Sequence, residues 1–573
     1  MRFGMAVRRG LALAAVLAGL AACADAGRAP DSADAASKPM SALGSYLAAR
    51  HAQDQHDYTD AARFMDRALV GDPDNLELAR RTFVLRVSEG QISEAVPLAR
   101  RLIEIEPKSG LAGLVLLTEA IKDDKFDEAA RLAAAMPREG AERFAMPLLD
   151  AWIALGRQNP EAAQKSLDQI GSLRGLEQLR DLHLALIDDY ADRVEEAASA
   201  YKRLVAGEAQ PTWRVIEVAG NFFERHGGSA EAGRLYERYA ASDTETDAAA
   251  TGLQRIAAGT VPPRIIATPR QGAAEALFDL ASLLNRRETI DAALIYVRLC
   301  LELEPRFALA QLLAGEIREE QNRTPEALAL YRSVDPASPL YWASRLRVAL
   351  ALDALDQTDE AKAELQKMAD ERPMRPEPLV ELGDILRGHN QFAEAVRAYD
   401  AAVARLATID KSSWRILYAR GVALERSNQW ARAEADLKRA LELEPDQPLV
   451  LNYLGYSWID KGENLSEALK MIERAVQLRP RDGYIVDSLG WAFYRLGNMS
   501  KATELLEHAI ELLPEDPTIN DHLGDVYWRT GRPVEARYQW RRALLFGPEA
   551  QEGKNIELKL NRGLGEPATV SGG

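Results

Sequence analysis

Cysteine is nearly missing: Cys23 and Cys300 are the only two in 573 residues. That excludes a disulfide framework and a cysteine-built metal site. Histidine is scarce as well, and the seven, at 51, 56, 183, 226, 389, 508 and 522, fall in no metal-ligand spacing. Neither a phosphate-cradling glycine loop nor a Gly-x-Ser-x-Gly elbow occurs. No cofactor, metal or catalytic residue is therefore expected. Aromatic residues make up only 7% and no strand-like alternation runs through the chain, which argues against a sheet. Positive charge is in deficit, with 71 Lys and Arg against 87 Asp and Glu, a net −16. Nucleic acid and anionic lipid headgroups are poor partners for such a surface. Long apolar runs are missing too, since Leu11 to Leu20 is too short to span a bilayer as a mature helix.

What the chain has is repetition. Pro480, Pro514 and Pro548 fall 34 residues apart, as do Gly490 and Gly524, Gly497 and Gly531, Ala502 and Ala536, and Ala509 and Ala543. Leu489-Gly490-x2-Phe493, Ala502, Leu506, Ala509 and Pro514 form one unit; Leu523-Gly524-x2-Tyr527, Ala536, Trp540, Ala543 and Pro548 form the next. This pattern resembles the tetratricopeptide repeat family, whose unit is a 34-residue helix–turn–helix. The resemblance implies an all-α superhelical solenoid of about 12–14 units, a surface for holding other molecules.

The same phase runs backwards. Gly455, Ala475 and Pro480 make a unit with one extra residue in 462–466; Gly421, Ala433, Ala440 and Pro445 make another. Earlier units hang on Gly383, Ala349, Gly315 and Ala281. Pro73 and Pro107, with Ala61, Ala95 and Ala129, keep the step near the start, and thinner units follow at Ala163, Ala197 and Ala232. Leucine, alanine, glutamate and arginine, all good helix formers, dominate throughout. Asp516-Pro517 reads as an N-cap followed by proline in the first helical turn. A polar stretch at 242–246 and Pro262-Pro263 interrupt the helical phase. The organisation expected is a 41–240 array, a 241–274 linker or seam, a 275–548 array, and a 549–573 segment with a capping helix near Gln551–Leu564 and a tail.

Arg2, Arg8 and Arg9 precede the short apolar run, which ends Leu20-Ala21-Ala22-Cys23. This resembles a lipobox, and the resemblance implies a signal peptide over 1–22, diacylglyceryl attachment at Cys23 and a tether over 23–40. Ala24 in place of aspartate implies, by the same resemblance, the periplasmic face of an outer membrane. Removing Arg2, Arg8 and Arg9 leaves 68 basic against 87 acidic residues, net −19. Cys300 stands at a small-residue place of its repeat, so a buried inert thiol is expected.

In the repeat frame the groove is lined by places two, five, nine, twelve and thirteen of each first helix. The resemblance thus assigns a protein-binding groove to Asn452 and Tyr456, to Tyr484, Asp487, Trp491, Tyr494 and Arg495, and to Asp521, Asp525, Trp528 and Arg529. Aromatic faces supply contact area and fixed charges set register. Six of the nine tryptophans lie between 414 and 540, which makes this end the richer one. The family's carboxylate clamp wants lysine and asparagine at places five and nine; aspartate and tryptophan stand here instead. His522 lies near Asp487, Asp521 and Asp525 in sequence register and reads as a polar groove contact.

The stretches Asn452–Trp458, Val486–Trp491 and Asn520–Asp525 resemble the C-terminal part of long bacterial repeat lipoproteins that act as adaptors for envelope proteases. The resemblance implies a non-catalytic scaffold that recruits a carboxyl-terminal processing protease or cell-wall hydrolases. Two other readings stay open: a scaffold for exopolysaccharide export or pilus assembly, and a direct peptidoglycan or glycan binder. The lipid-anchor expectation is testable at one residue. Cys23→Ala should move the protein from the membrane fraction to the soluble fraction and remove the acyl mass from its N-terminal peptide, read by fractionation and mass spectrometry.

Overall fold

The computed structural model describes residues 41–565 apart from 56, 172–174, 207–210 and 242–247. Cys23, the segments 1–22 and 23–40, the polar stretch 242–246 and the tail 566–573 lie outside the described residues. Those described form thirty α-helices and one 3-10 turn (Lys411–Ser413), and none is a strand. The all-α expectation holds.

Two compact units divide the chain at Val115/Leu116. The first contains α1 (Ala42–Asp54), α2 (Tyr58–Gly71), α3 (Leu76–Ser88) and α4 (Ile92–Ile105), and α5 (Gly110–Lys122) spans the division. Its core is built from small residues, Ala49, Ala61, Ala62 and Ala68, closed by Met65 and Leu85.

The second unit begins with α6 (Phe126–Ala135), followed by hairpins of α7 (Glu142–Gly156) with α8 (Pro160–Gly171), α9 (Glu177–Tyr190) with α10 (Val194–Val205), and α11 (Trp213–Arg225) with α12 (Ser229–Ala240). A lone helix, α13 (Ala248–Ala257), precedes eight further hairpins. These are α14 (Pro269–Leu284) with α15 (Ile290–Leu303), α16 (Ala308–Glu320) with α17 (Thr324–Arg332), α18 (Tyr341–Ala354) with α19 (Thr358–Glu371), and α20 (Glu377–Gly388) with α21 (Phe392–Ala404). Then come α22 (Trp414–Arg426) with α23 (Trp430–Leu443), α24 (Pro448–Lys461) with α25 (Leu465–Leu478), α26 (Gly483–Arg495) with α27 (Met499–Leu512), and α28 (Pro517–Arg529) with α29 (Pro533–Leu545). A final single helix, α30 (Ala550–Arg562), follows.

Several hairpins close on one rule. A small residue in the first helix receives a bulky side chain from the second helix sixteen places later. A Cβ on Gly315 would overlap the Tyr331 ring, one on Gly383 the Tyr399 ring and one on Gly524 the Trp540 ring. Leucine fills the same role elsewhere, 3.0 Å from the Cβ position of Gly421 (Leu437) and 2.8 Å from that of Gly490 (Leu506). At Gly455 the partner is Ile472, seventeen places on, because this unit holds the extra residue. The turn inside each hairpin repeats as well. Asp124, Gln158 and Asp192, then Asn322, Asp356 and Asn390, then Asn428 and Gly462, stand in the left-handed region at steps of 34 within each run. Glycine, asparagine and aspartate tolerate that conformation best. From Asn390 to Asn428 the step is 38, the difference being absorbed around the 3-10 turn at Lys411–Ser413. Asp516 accepts from the Ile519 N–H at 2.9 Å and so caps α28, with Pro517 next to it, as expected.

First helices also touch one another along the C-terminal run, α18 with α20, α20 with α22, α24 with α26, and α26 with α28. They therefore line the inner face of the stack.

The segment 241–274, read from sequence as a linker, differs from that reading in content. It holds α13, an alanine-rich helix, and the start of α14. The extended piece between them is tied down: the Asn221 side chain donates to the Pro263 carbonyl at 2.8 Å, and Arg264 donates to the Tyr190 carbonyl at 3.1 Å. Sequence patterning could not show these ties, because they depend on which loops come together in space.

The packing rule is testable. Gly315→Ala should lower stability by about 1–3 kcal/mol through overpacking. Adding Tyr331→Leu should restore part of that loss, measured by chemical denaturation of the single and double variants.

Candidate protein-binding groove

The inner face built by α7, α9 and α11 is not empty. Helix α14 lies against all three. Gly272 lets it approach so closely that a Cβ there would overlap the Trp152 ring. The Trp152 indole donates to His183 Nδ1 at 3.0 Å, which leaves the proton on Nε2 to be donated to Asp279 of α14, also at 3.0 Å. Arg214 of α11 sits between Glu217, at 2.7 Å, and the fully buried Glu275 of α14, at 2.9 Å through Nε. A buried carboxylate without a cation would be costly, so this pair fixes α14 in register. Cys300 is buried and unpaired, and burial raises its thiol pKa well above the usual value. That agrees with the inert thiol expected there.

The second inner face, of α22 to α28, carries the residues assigned from sequence. The structure brings them together but does not leave them open. Asp487, expected to face a partner, is buried, and both its oxygens lie 3.0 Å from His522 Nδ1. Trp491 stacks on the same His522 ring at 3.9 Å and on Tyr494 at 4.7 Å. Arg495 reaches Asp460 of the preceding first helix at 2.8 Å. Asp525 is buried and accepts from the Trp540 indole at 2.9 Å. Asp487, Trp491 and Asp525, assigned from sequence to the groove, already have partners within the fold: Asp487 and Trp491 meet His522 of the next repeat and Asp525 meets Trp540 of its own hairpin, because buried carboxylates need donors. Asn452, Tyr456 and Arg529 are half-buried, and Tyr484 is exposed.

Helix α30 follows the last hairpin where a capping helix is expected and packs against α29, and it also reaches this inner face. Glu549, just ahead of it, is 3.7 Å from Arg426 at the far end of α22. Ile556 is buried in the same core cluster as Leu523 and Val526 of α28. Lys559 Nζ lies 2.7 Å from Asp521 and 2.8 Å from Asp525. Gly563 follows the helix at positive φ, and a Cβ there would overlap the Trp528 ring. Asp521, Asp525 and Trp528 are thus covered by the chain's own helix. The one sequence signal was a lysine 34 residues after Asp525, at the step of the repeat itself.

Electrostatics follow from this packing. Burial opposes the charged form of His522, but Asp487, by charge and hydrogen bond, together with Asp521 and Asp525 outweighs it, and the pKa is raised. Burial also opposes the Lys559 ammonium, and Asp525 and Asp521 again prevail to raise its pKa. Burial raises the pKa of Asp525, with the charge of Asp521 acting in the same direction.

The tetratricopeptide repeat model matches residues 380–448, 418–483, 454–517 and 488–553, so the chain carries tetratricopeptide repeats over 380–553. A TPR repeat-containing protein of Pseudomonas aeruginosa is 32% identical over 184 residues, which cover 32% of this chain and 30% of that protein. The match therefore spans less than a third of that relative. Among solved structures, the Cut9–Hcn1 hetero-tetramer of the APC/C aligns at 17% identity and a TM-score of 0.38, covering 91% of this chain and 96% of that one. Yeast Tom70 aligns at 14% identity and a TM-score of 0.33, covering 91% and 95%.

The raised His522 pKa has a definite sign. A group protonated more readily when folded adds stability below its unfolded pKa, about 6.5, and that stability is lost as pH rises through the folded value. Protection of α26 and α28 amides, corrected for intrinsic exchange, should fall as pH rises above about 6.5. In His522→Gln, where Asp487, Asp521, Asp525 and Glu552 no longer face a titrating ring, the slope should flatten.

Proposed function

We propose that this protein is a non-catalytic scaffold, anchored by lipid at Cys23 to the periplasmic face of an outer membrane, that recruits an envelope protease or wall hydrolase. Tetratricopeptide repeats form protein–protein interaction scaffolds, and that coarser role rests on the repeats over 380–553. The observation that carries the reading is the use both inner faces make of helices. One accommodates α14 through buried ion pairs and the other α30 through Lys559. A surface that binds helical segments of its own chain has the shape and the charges to bind one from a partner.

The choice of an envelope protease or hydrolase rests on the likeness of 452–458, 486–491 and 520–525 to the adaptor lipoproteins. The acidic balance supports a partner with a basic contact surface. Among the described residues no helix is long and apolar enough to cross a membrane. The anchoring proposed is therefore carried by the N-terminal segment alone.

Crosslinked capture of the lipidated protein from envelope extract, read by mass spectrometry, tests the reading. A processing-type serine protease or wall hydrolases should be enriched over a Cys23→Ala control. Tyr484→Ala with Arg529→Ala, which disturb no buried carboxylate, should lower that capture about three- to tenfold. Enrichment of polysaccharide-export or pilus machinery alone would replace the partner assignment.

A further inference from the structure

The geometry points to α30 as a placeholder: the inner face of α22–α28 is a docking site for a partner's amphipathic helix bearing a buried-facing lysine or arginine one turn after an aliphatic residue, and α30 holds that site until such a helix displaces it. The inference rests on the scaffold reading and adds the chemistry of the partner and the means of exchange.

The demand for a cation comes from the groove. Asp521 and Asp525 stand one helical turn apart on α28, and Asp525 is buried. Trp540 satisfies one oxygen of Asp525, and Lys559 supplies the positive charge to both carboxylates. If α30 leaves, two neighbouring carboxylates lose their cation, and an occupant without one would enclose uncompensated negative charge. A replacement helix must therefore bring its own. Ile556, three residues before Lys559, is the aliphatic anchor, entering the cluster of Leu523 and Val526.

The ease of displacement comes from α30. Ile556 is the only one of its thirteen residues that is buried. Gly553, Asn555 and Asn561 are weak helix formers within so short a helix. The segment before it, Gly547-Pro548-Glu549, includes a glycine at positive φ and a proline with no N–H to donate. Helix α29 thus ends at a break, so α30 is joined to the last hairpin by this short segment and by the packing of Ile556 and Leu560. α14 offers the contrast. Nine of its sixteen residues are buried, and it is continuous with the hairpin it begins, so it is a permanent part of the fold.

The probe is a fluorescein-labelled peptide of residues 549–565 added to the full-length chain. The wild-type chain should bind it weakly, because the cis helix competes. Lys559→Glu and, separately, Ile556→Asp should each free the groove and raise peptide affinity at least about tenfold, the apparent affinity scaling with the fraction of open groove. The peptide carrying the same Lys559→Glu change should not bind, and Asp521→Asn with Asp525→Asn in the Lys559→Glu chain should cancel the gain. Equal affinity of wild-type and both variants, with helicity unchanged, would overturn the inference. So would cooperative loss of α28 and α29 protection in both variants, since α30 would then be an integral cap. Envelope capture that ignores Lys559 would leave the scaffold standing and remove the placeholder. Peptide binding as expected without any envelope capture would do the reverse.

Discussion

A glycine in one helix, pressed by a large side chain sixteen residues later in the next, is the contact on which several hairpins of this molecule depend. Gly315 under Tyr331, Gly383 under Tyr399 and Gly524 under Trp540 set how near two helices come. That distance, repeated, sets how each hairpin meets its neighbour. The left-handed turn residues keep the same step and fix where the chain reverses. Neither feature alone would make a stack. Together they leave little choice, since both periods must agree for any single hairpin to close.

With the hairpins fixed, the first helices face inward and their polar side chains have to find partners. The structure answers this in two ways. Carboxylates meet neighbouring repeats, as Asp487 meets His522 and Asp460 meets Arg495. Or a helix from elsewhere in the chain fills the inner face, as α14 and α30 do, each bringing the charge the face lacks. Glu275 goes to a site holding Arg214, while Lys559 goes to a site holding Asp521 and Asp525. The two faces have opposite electrostatic needs, one met by a buried glutamate and the other by a lysine.

The groove was legible in sequence as positions and not as a state. The repeat frame puts Asp487 at place five and Asp525 at place nine of their first helices, and the structure buries both side chains. Burial depends on what else reaches the inner surface. Apart from the 34-residue step from Asp525 to Lys559, nothing marks Lys559 or Ile556 as groove residues, because they lie in a helix past the last proline of the pattern. His522 was seen as a neighbour of three acids, and its ion pair with Asp487 and its stacking on Trp491 required the rotation of α26 against α28 to be known.

The sequence by itself determined the helices, their pairing, their turns and the small residues at their crossings. All of these are local, recurring every 34 residues within a single hairpin's reach. The tertiary structure alone decided that the segment after residue 241 places α14 against α7, α9 and α11, and that α30 turns back over α28. Those contacts join residues from 34 to more than 120 positions apart, and their energy lies in buried charges finding one another across the inner face. No spacing rule records that matching, since it is a property of the surface the repeats make together.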